Sequence, residues 1–124
     1  MQKVISIVVL LAAVVLSAAD CAQAWSSDGV ISGTDLEYSG LSVTKKGVSV
    51  RLTNTSGDDV KVSLKLTFYD VNGSSLGYSI FGLREIGARQ QVEVSDNYLT
   101  GKWKPCRDSQ RMEFLKMTYE PIYY

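Results

Sequence analysis

The side chains best suited to recognition chemistry lie at residues 101–111. A single indole, Trp103, stands there among basic residues. A cation-flanked indole can stack on a sugar or on an aromatic side chain of a partner. The same ring could instead cover the open end of a small domain while its lysines stay in solvent. The candidate binding residues of this stretch are Lys102, Trp103, Lys104 and Arg107.

Cys106 lies inside the same stretch, directly after Pro105. The neighbouring cations Lys104 and Arg107 are expected to lower the pKa of its thiol and so raise its thiolate fraction. A nucleophilic enzyme also needs a base, and the 124 residues include no His. We therefore expect a protein that is not an enzyme, with Cys106 in a disulfide, within or between chains, or left as a free thiol.

Oxygen ligands that calcium could use occur at Asp58, Asp59, Asp70, Asn72 and Asp96. They do not follow the EF-hand pattern, which needs acidic residues at alternate positions and a closing Glu. Their spacing is typical of turns, in which Asp and Asn side chains bond their own backbone. The sequence predicts neither a metal site nor a cofactor.

A second candidate surface is the aromatic segment at residues 119–124 (YEPIYY), which includes Tyr123 and Tyr124. Tyrosine is favoured at interfaces because it contributes a large contact area with few rotamers to freeze. This segment is expected either to pack along its own domain or to add as a strand to a neighbour's sheet edge.

The charge balance excludes some partners. Thirteen Lys and Arg stand against thirteen Asp and Glu, so there is no basic surplus. A protein that wraps nucleic acid or lies on an anionic membrane needs such a surplus. We expect no nucleic-acid partner.

Residues 1–24 have the pattern of a cleaved secretory signal peptide. Lys3 precedes an apolar run at residues 4–16, which as a helix would span roughly 20 Å, too short for a bilayer core of about 30 Å. This run is followed by small residues, which are typical of a signal-peptide cleavage site. The chain is therefore expected to be secreted or periplasmic, with no membrane span once the signal peptide is removed.

Two cleavage sites decide the fate of the second cysteine. Cleavage after Ala24 removes Cys21, whereas cleavage after Ala19 keeps it and allows a disulfide from Cys21 to Cys106. Lipid anchoring at Cys21 is not expected, because Asp20 occupies the position where a lipobox has Gly or Ala.

The elements that must position these residues are strands. Apolar residues occupy every even position from Val60 to Phe68 and polar residues fill the odd ones, as in a strand with one face buried. Val48, Val50 and Leu52 repeat the pattern. Turn signals follow at residues 54–59 (NTSGDD) and 70–73 (DVNG). Further strands are predicted at residues 36–43, 76–81, 92–94 and 112–120, the last with two partly apolar faces, typical of a strand covered on both sides or lying at an edge.

Six to eight short strands and no helical periodicity predict an all-β fold for residues 25–124, as one domain. The expected architecture is an immunoglobulin-like antiparallel β-sandwich, with a small antiparallel β-barrel as the alternative.

The stretch at residues 48–94 includes the segments 52–56 (LTNTS) and 66–70 (LTFYD), followed by Asn72-Gly73, Leu76-Gly77 and Gly87. With these residues it resembles the FxLYD family of bacterial extracytoplasmic domains. This sequence departs from the family motif at Leu66, where Phe is expected, and at Phe68, where Leu is expected. The resemblance implies a small β-sandwich in secreted or envelope proteins of unsettled function, and it transfers no catalytic residues.

Together these features predict an exported, non-enzymatic module that binds an envelope protein or another copy of itself. The alternative is a module that binds a small ligand or carbohydrate through Trp103.

Overall fold

Two four-stranded antiparallel sheets face each other in the computed structural model, which describes residues 25–123. The predicted β-sandwich is confirmed, and the alternative barrel is wrong because the two sheets do not close on each other. One sheet has the order β1-β2-β3-β6 and the other the order β7-β5-β4-β8. The strands are β1 (Gly29–Val30), β2 (Leu36–Thr44), β3 (Gly47–Asn54), β4 (Val60–Tyr69), β5 (Ser75–Ile86), β6 (Gln91–Asp96), β7 (Thr100–Gly101) and β8 (Arg111–Pro121).

The alternating sequence of β4 makes it the centre of its sheet. Its five apolar side chains, from Val60 to Phe68, are almost completely buried against the other sheet, and its polar side chains face outward. In the second sheet, β3 places Val48, Val50 and Leu52 opposite them. Burial of these two apolar faces is the main stabilising contribution to a sandwich of this size.

The connection between β3 and β4 is organised by one buried amide. Asn54 is fully buried, and its Nδ2 donates to the carbonyl oxygens of Asp58 at 2.7 Å and Ile86 at 3.2 Å. Its Oδ1 accepts from the backbone N–H of Ser56 at 3.0 Å. This side chain joins the predicted turn to the end of β5, which fixes one end of the sandwich.

The predicted turn after β4 is also present. Asp70 Oδ1 accepts from the backbone N–H groups of Asn72 and Ser74, both at 2.9 Å. The expectation that this acidic residue bonds its own backbone is confirmed. β5 then continues to Ile86, five residues beyond the predicted strand.

Residues 101–111 form more than an irregular connection between two strands. They include one helical turn, α1 (Trp103–Arg107), with backbone bonds from Cys106 N to Lys102 O and from Asp108 N to Lys104 O. Pro105 lies within the first turn, where a missing N–H costs no helical bond. A single helical turn is too short to produce a periodic pattern, which is why the sequence did not indicate it.

The last strand lies at an edge of its sheet, which agrees with one of the two predicted placements. β8 pairs with β4 alone. Its inner side contacts the other sheet through Phe114, whose ring centroid lies 4.8 Å from that of Tyr38. Leu115 and Met117 are exposed, which explains why both faces of this strand looked apolar in sequence.

Candidate binding groove

A groove of about 460 Å³ opens at one end of the sandwich, between the β2–β3 hairpin and α1. The residues between β6 and β7 form its third side. Of the sequence-predicted binding residues, the groove brings together Lys102, Trp103 and Lys104. Its lining consists of Thr44, Lys45, Gly47, Asn97, Leu99, Gly101, Lys102, Trp103, Lys104 and Pro105.

Close backbone approaches hold the walls of this groove in place. Gly47 has a φ of 127°, and a Cβ at this position would collide with the backbone oxygen of Asp96. The hairpin therefore lies directly against the end of β6. Gly77 allows a similar close approach on the side of α1. A Cβ at Gly77 would overlap Thr100 O and would lie 2.8 Å from Cys106 Sγ.

Trp103 combines the two roles that the sequence left open. Its ring is partly buried and packs against the hydrophobic core, so it covers the end of the sandwich. It also lines the groove. Two cations lie near the ring centroid, Lys104 Nζ at 5.6 Å and Arg107 Cζ at 5.1 Å, within the range of cation–π attraction. These contacts restrict the orientation of the indole.

The acidic groups next to the groove are already engaged. Asp108 accepts from Arg107 Nε at 2.8 Å, and this hydrogen bond lowers the pKa of its carboxyl group and raises that of the guanidinium. Asp96 accepts from the backbone N–H of Tyr98 at 2.9 Å and of Ile80 at 3.2 Å. Both carboxylates are thus held by groups outside the groove.

The lysines of the groove form no close ion pair with the described residues, although Lys104, after Arg107, also lowers the pKa of the Asp108 carboxyl group. Lys45, Lys102 and Lys104 form no ion pair with any residue of the described chain, 25–123. The lining includes no Asp or Glu. In a protein without net charge, this end carries a local excess of positive charge.

Cys106 does not behave as its neighbours in sequence predicted. Its side chain is completely buried, and burial raises the pKa of the thiol instead of lowering it. Lys104 and Arg107 are directed to the Trp103 ring and to Asp108, so they do not act on the sulfur. No disulfide joins Cys106 to another residue of the described range. The thiol is a packing group beneath α1.

A second indole supports α1 from the core side. Trp25 is buried, its ring lies 6.0 Å from that of Phe68, and its Nε1 donates to Ser109 Oγ at 3.0 Å. Ser109 Oγ in turn donates to Cys106 O at 2.7 Å. This chain of bonds links the first described residue to the C-terminal end of the helix.

The remaining predicted residues lie elsewhere. Tyr123 is 86% exposed and follows β8, whose eleven residues run away from α1, so it lies at the opposite end of the sandwich, about 30 Å from the groove. The neighbouring Ile122 N–H donates to Asp59 O at 2.9 Å, which holds the segment beside its own domain. Tyr124, Cys21 and the predicted signal peptide at residues 1–24 lie outside the described residues.

Sequence reasoning missed half of the groove. Thr44, Lys45 and Gly47 belong to the β2–β3 hairpin, more than fifty positions before α1. The sequence of this hairpin turn (TKKG) is basic, but it gives no sign of the segment that packs beside it. Only the sheet register, in which Val48 pairs with Asp96, brings this hairpin beside the segment that leads to α1.

Residues 25–123 include no cluster of three or more His, Cys, Asp or Glu side chains suited to a metal ion. Across the same residues, no helix has the length and apolar character needed to cross a membrane.

Comparisons with known proteins give little more. No protein-family model matches the chain, so the FxLYD resemblance is not confirmed, and no curated protein matches it. Among solved structures, the chain is similar to a DUF1425 family member from Shewanella sp. pv-4. The two are 24% identical with a TM-score of 0.42, over 80% of this chain and 95% of the other. That family is a bacterial domain of unknown function.

Proposed function

We propose that this chain is an exported, non-enzymatic module that binds a protein partner in the cell envelope through the groove beside Trp103. The observation that carries the proposal is the composition of the groove, which is lined by three lysines and a partly buried indole and by no acidic residue. Aromatic and basic side chains together are the residue types that interfaces concentrate at their centres.

The buried thiol supports a binding function over catalysis. A nucleophile must be reachable and activated, and Cys106 is neither: its side chain is fully buried and its pKa is raised. No base lies in the groove lining apart from the lysines. The groove therefore provides charge and apolar surface, which suit recognition.

Cleavage of the proposed signal peptide after Ala24 would leave the buried core intact. Cleavage after Ala24 would leave Trp25 as the first residue, and this residue is already part of the core. The intact mass of the protein secreted by its own host tests this directly. A mass that starts at Trp25 is expected, and a mass that retains residues 1–24 would contradict export by signal-peptide cleavage.

A small anionic ligand or carbohydrate is the second candidate, favoured by one observation. The groove volume of about 460 Å³ falls within the usual range of small-molecule sites, about 300–1,000 Å³. Binding of a member of a glycan library, followed by isothermal titration calorimetry and lost in Trp103→Phe, would favour this function over a protein partner.

Site-specific photo-crosslinking in the host cell tests the protein-binding proposal. A photo-crosslinking amino acid at position 102 lies on the groove wall, and one at position 51 lies on the exposed side of β3 as the control. We expect an adduct with a discrete protein from position 102 and none from position 51. No adduct from position 102, or the same adducts from both positions, would contradict the proposal.

A further inference from the structure

We infer that the groove recognises an acidic segment that carries an aromatic side chain on the partner protein. This inference rests on the proposed function and adds the chemistry of the partner. It comes from how the charges and the apolar surface are arranged around the groove.

The positive charges stand on two sides of the groove. Lys45 comes from the β2–β3 hairpin, whereas Lys102 and Lys104 come from the helix and the residue before it. An extended segment in the groove would therefore meet a lysine on either side. Carboxylates are the complementary groups that a partner protein offers, and charge-assisted hydrogen bonds to them are stronger than neutral ones.

The adjacent carboxylates cancel this charge only in part. Asp108 is paired with Arg107, and Asp96 accepts two backbone N–H groups. Lys104 is close enough to Asp108 to lower, after Arg107, the pKa of its carboxyl group, but no groove lysine forms an ion pair with either carboxylate. Lys45 and Lys102 therefore remain available to carboxylates of a partner.

Apolar surface lies between the charges. Leu99, Trp103 and Pro105 line the groove, and Leu99 and Trp103 also pack against the hydrophobic core. Tyr98, which precedes Leu99, is 86% exposed, while its backbone N–H is fixed by Asp96. An aromatic side chain of the partner would find the Trp103 indole in the groove, and aromatic pairs of this kind contribute beyond their buried area.

Binding of a random glutamate–tyrosine copolymer to the purified domain at low salt, followed by isothermal titration calorimetry, tests this inference. Poly-glutamate and free glucuronic acid serve as comparison probes. The variant K102E/K104E reverses two groove charges. The matched control K61E/K65E reverses two lysines of β4 that face away from the core.

We expect the copolymer to bind at least tenfold more tightly than poly-glutamate and to lose affinity with added salt. K102E/K104E should lose at least tenfold in affinity, while K61E/K65E should keep its affinity. Equal loss in both variants, retention by K102E/K104E, or equal affinity for poly-glutamate would overturn the inference.

Two more outcomes identify other occupants. Binding of glucuronic acid as tight as that of the copolymer would assign the groove to a small anion and overturn the inference. Salt-sensitive self-association that K102E/K104E abolishes would assign it to a second copy of this chain, with the same consequence. An adduct from position 102 combined with no copolymer binding would leave the proposed function standing and remove only this inference.

Discussion

The two tryptophans of the described chain occupy opposite kinds of environment, although both are linked to the same helical turn. Trp25 is buried between Phe68 and Ser109, with its indole N–H bonded. Trp103 begins α1, packs one part of its ring on the core and presents another part to the groove among cations. The first satisfies all the requirements of a core residue, whereas the second leaves surface available for recognition.

This difference teaches which parts of the fold support function. The core side of α1 is closed and well packed, through Trp25, Cys106 and Gly77. The groove side is open and charged. Substitutions on the core side should act on stability, and substitutions on the groove side should act on binding.

Replacement of Trp25 should give the largest effect. Trp25→Ala removes a buried indole and leaves Ser109 without its donor, so we expect a loss of about 3–5 kcal/mol in the free energy of unfolding. Trp103→Ala, the matched substitution on the groove side, should cost only about 1–2 kcal/mol. Urea unfolding followed by circular dichroism measures both. Equal losses would abolish the distinction between the two indoles.

Gly77→Ala tests the close approach beneath α1. The new Cβ would overlap Thr100 O and press on Cys106 Sγ, and we expect a cost of about 1–3 kcal/mol from overpacking. Gly82→Ala is the control on the same strand, since nothing lies within 4 Å of its Cβ position. If Gly77→Ala were no more destabilising than Gly82→Ala in thermal unfolding, α1 would not be packed as described.

Cys106→Ser should be destabilising by about 1–3 kcal/mol, because it buries a hydroxyl group where the native side chain is a thiol that makes no hydrogen bond within residues 25–123.

Burial raises the folded-state thiol pKa above its ordinary value of 9.0. The stability that this thiol contributes is therefore complete below pH 9.0 and is lost as the pH rises toward the folded-state value. Unfolding of the wild type should show an alkaline loss that begins near pH 9, and Cys106→Ala should keep only the part that begins near pH 10, where Tyr38, whose pKa is also raised by burial, starts to titrate in the unfolded chain. Rapid labelling of the native thiol at neutral pH would contradict its burial.

The smallest effect is expected at Ser79. Its hydroxyl is buried and makes no hydrogen bond within the described residues. Ser79→Ala removes that unsatisfied group, so we expect stability to stay unchanged or to rise by up to about 1 kcal/mol. A decrease of more than about 1 kcal/mol in the free energy of unfolding, measured by urea unfolding, would show that the Ser79 hydroxyl has a hydrogen-bond partner.

Strand patterns made most of this fold predictable. The alternation at residues 60–68 and the turn at Asp70 both appear where the sequence placed them, because burial of one face imposes a period of two. The helical turn at Trp103 and the burial of Cys106 were not predictable. The buried Cys106 side chain lies against Gly77, which belongs to a strand far away in sequence.

The candidate groove was predictable only in part. The indole and its flanking lysines stood out by composition, whereas Lys45 gave no sign of belonging with them. Neighbouring cations in the sequence predict an activated thiol at Cys106, yet these cations contact other groups, and burial raises the pKa of the thiol. The residues next to Cys106 in sequence thus predict the wrong direction for its pKa shift, because the fold directs their side chains away from the sulfur.

Crosslinking from the two walls of the groove tests the central claim most directly. Positions 45 and 102 are far apart in sequence, and only the fold places them around one groove. With a photo-crosslinking amino acid at either position in the host cell, we expect adducts with the same partner protein. Adducts with different proteins, or an adduct from one wall alone, would contradict the account of a single recognition groove beside Trp103.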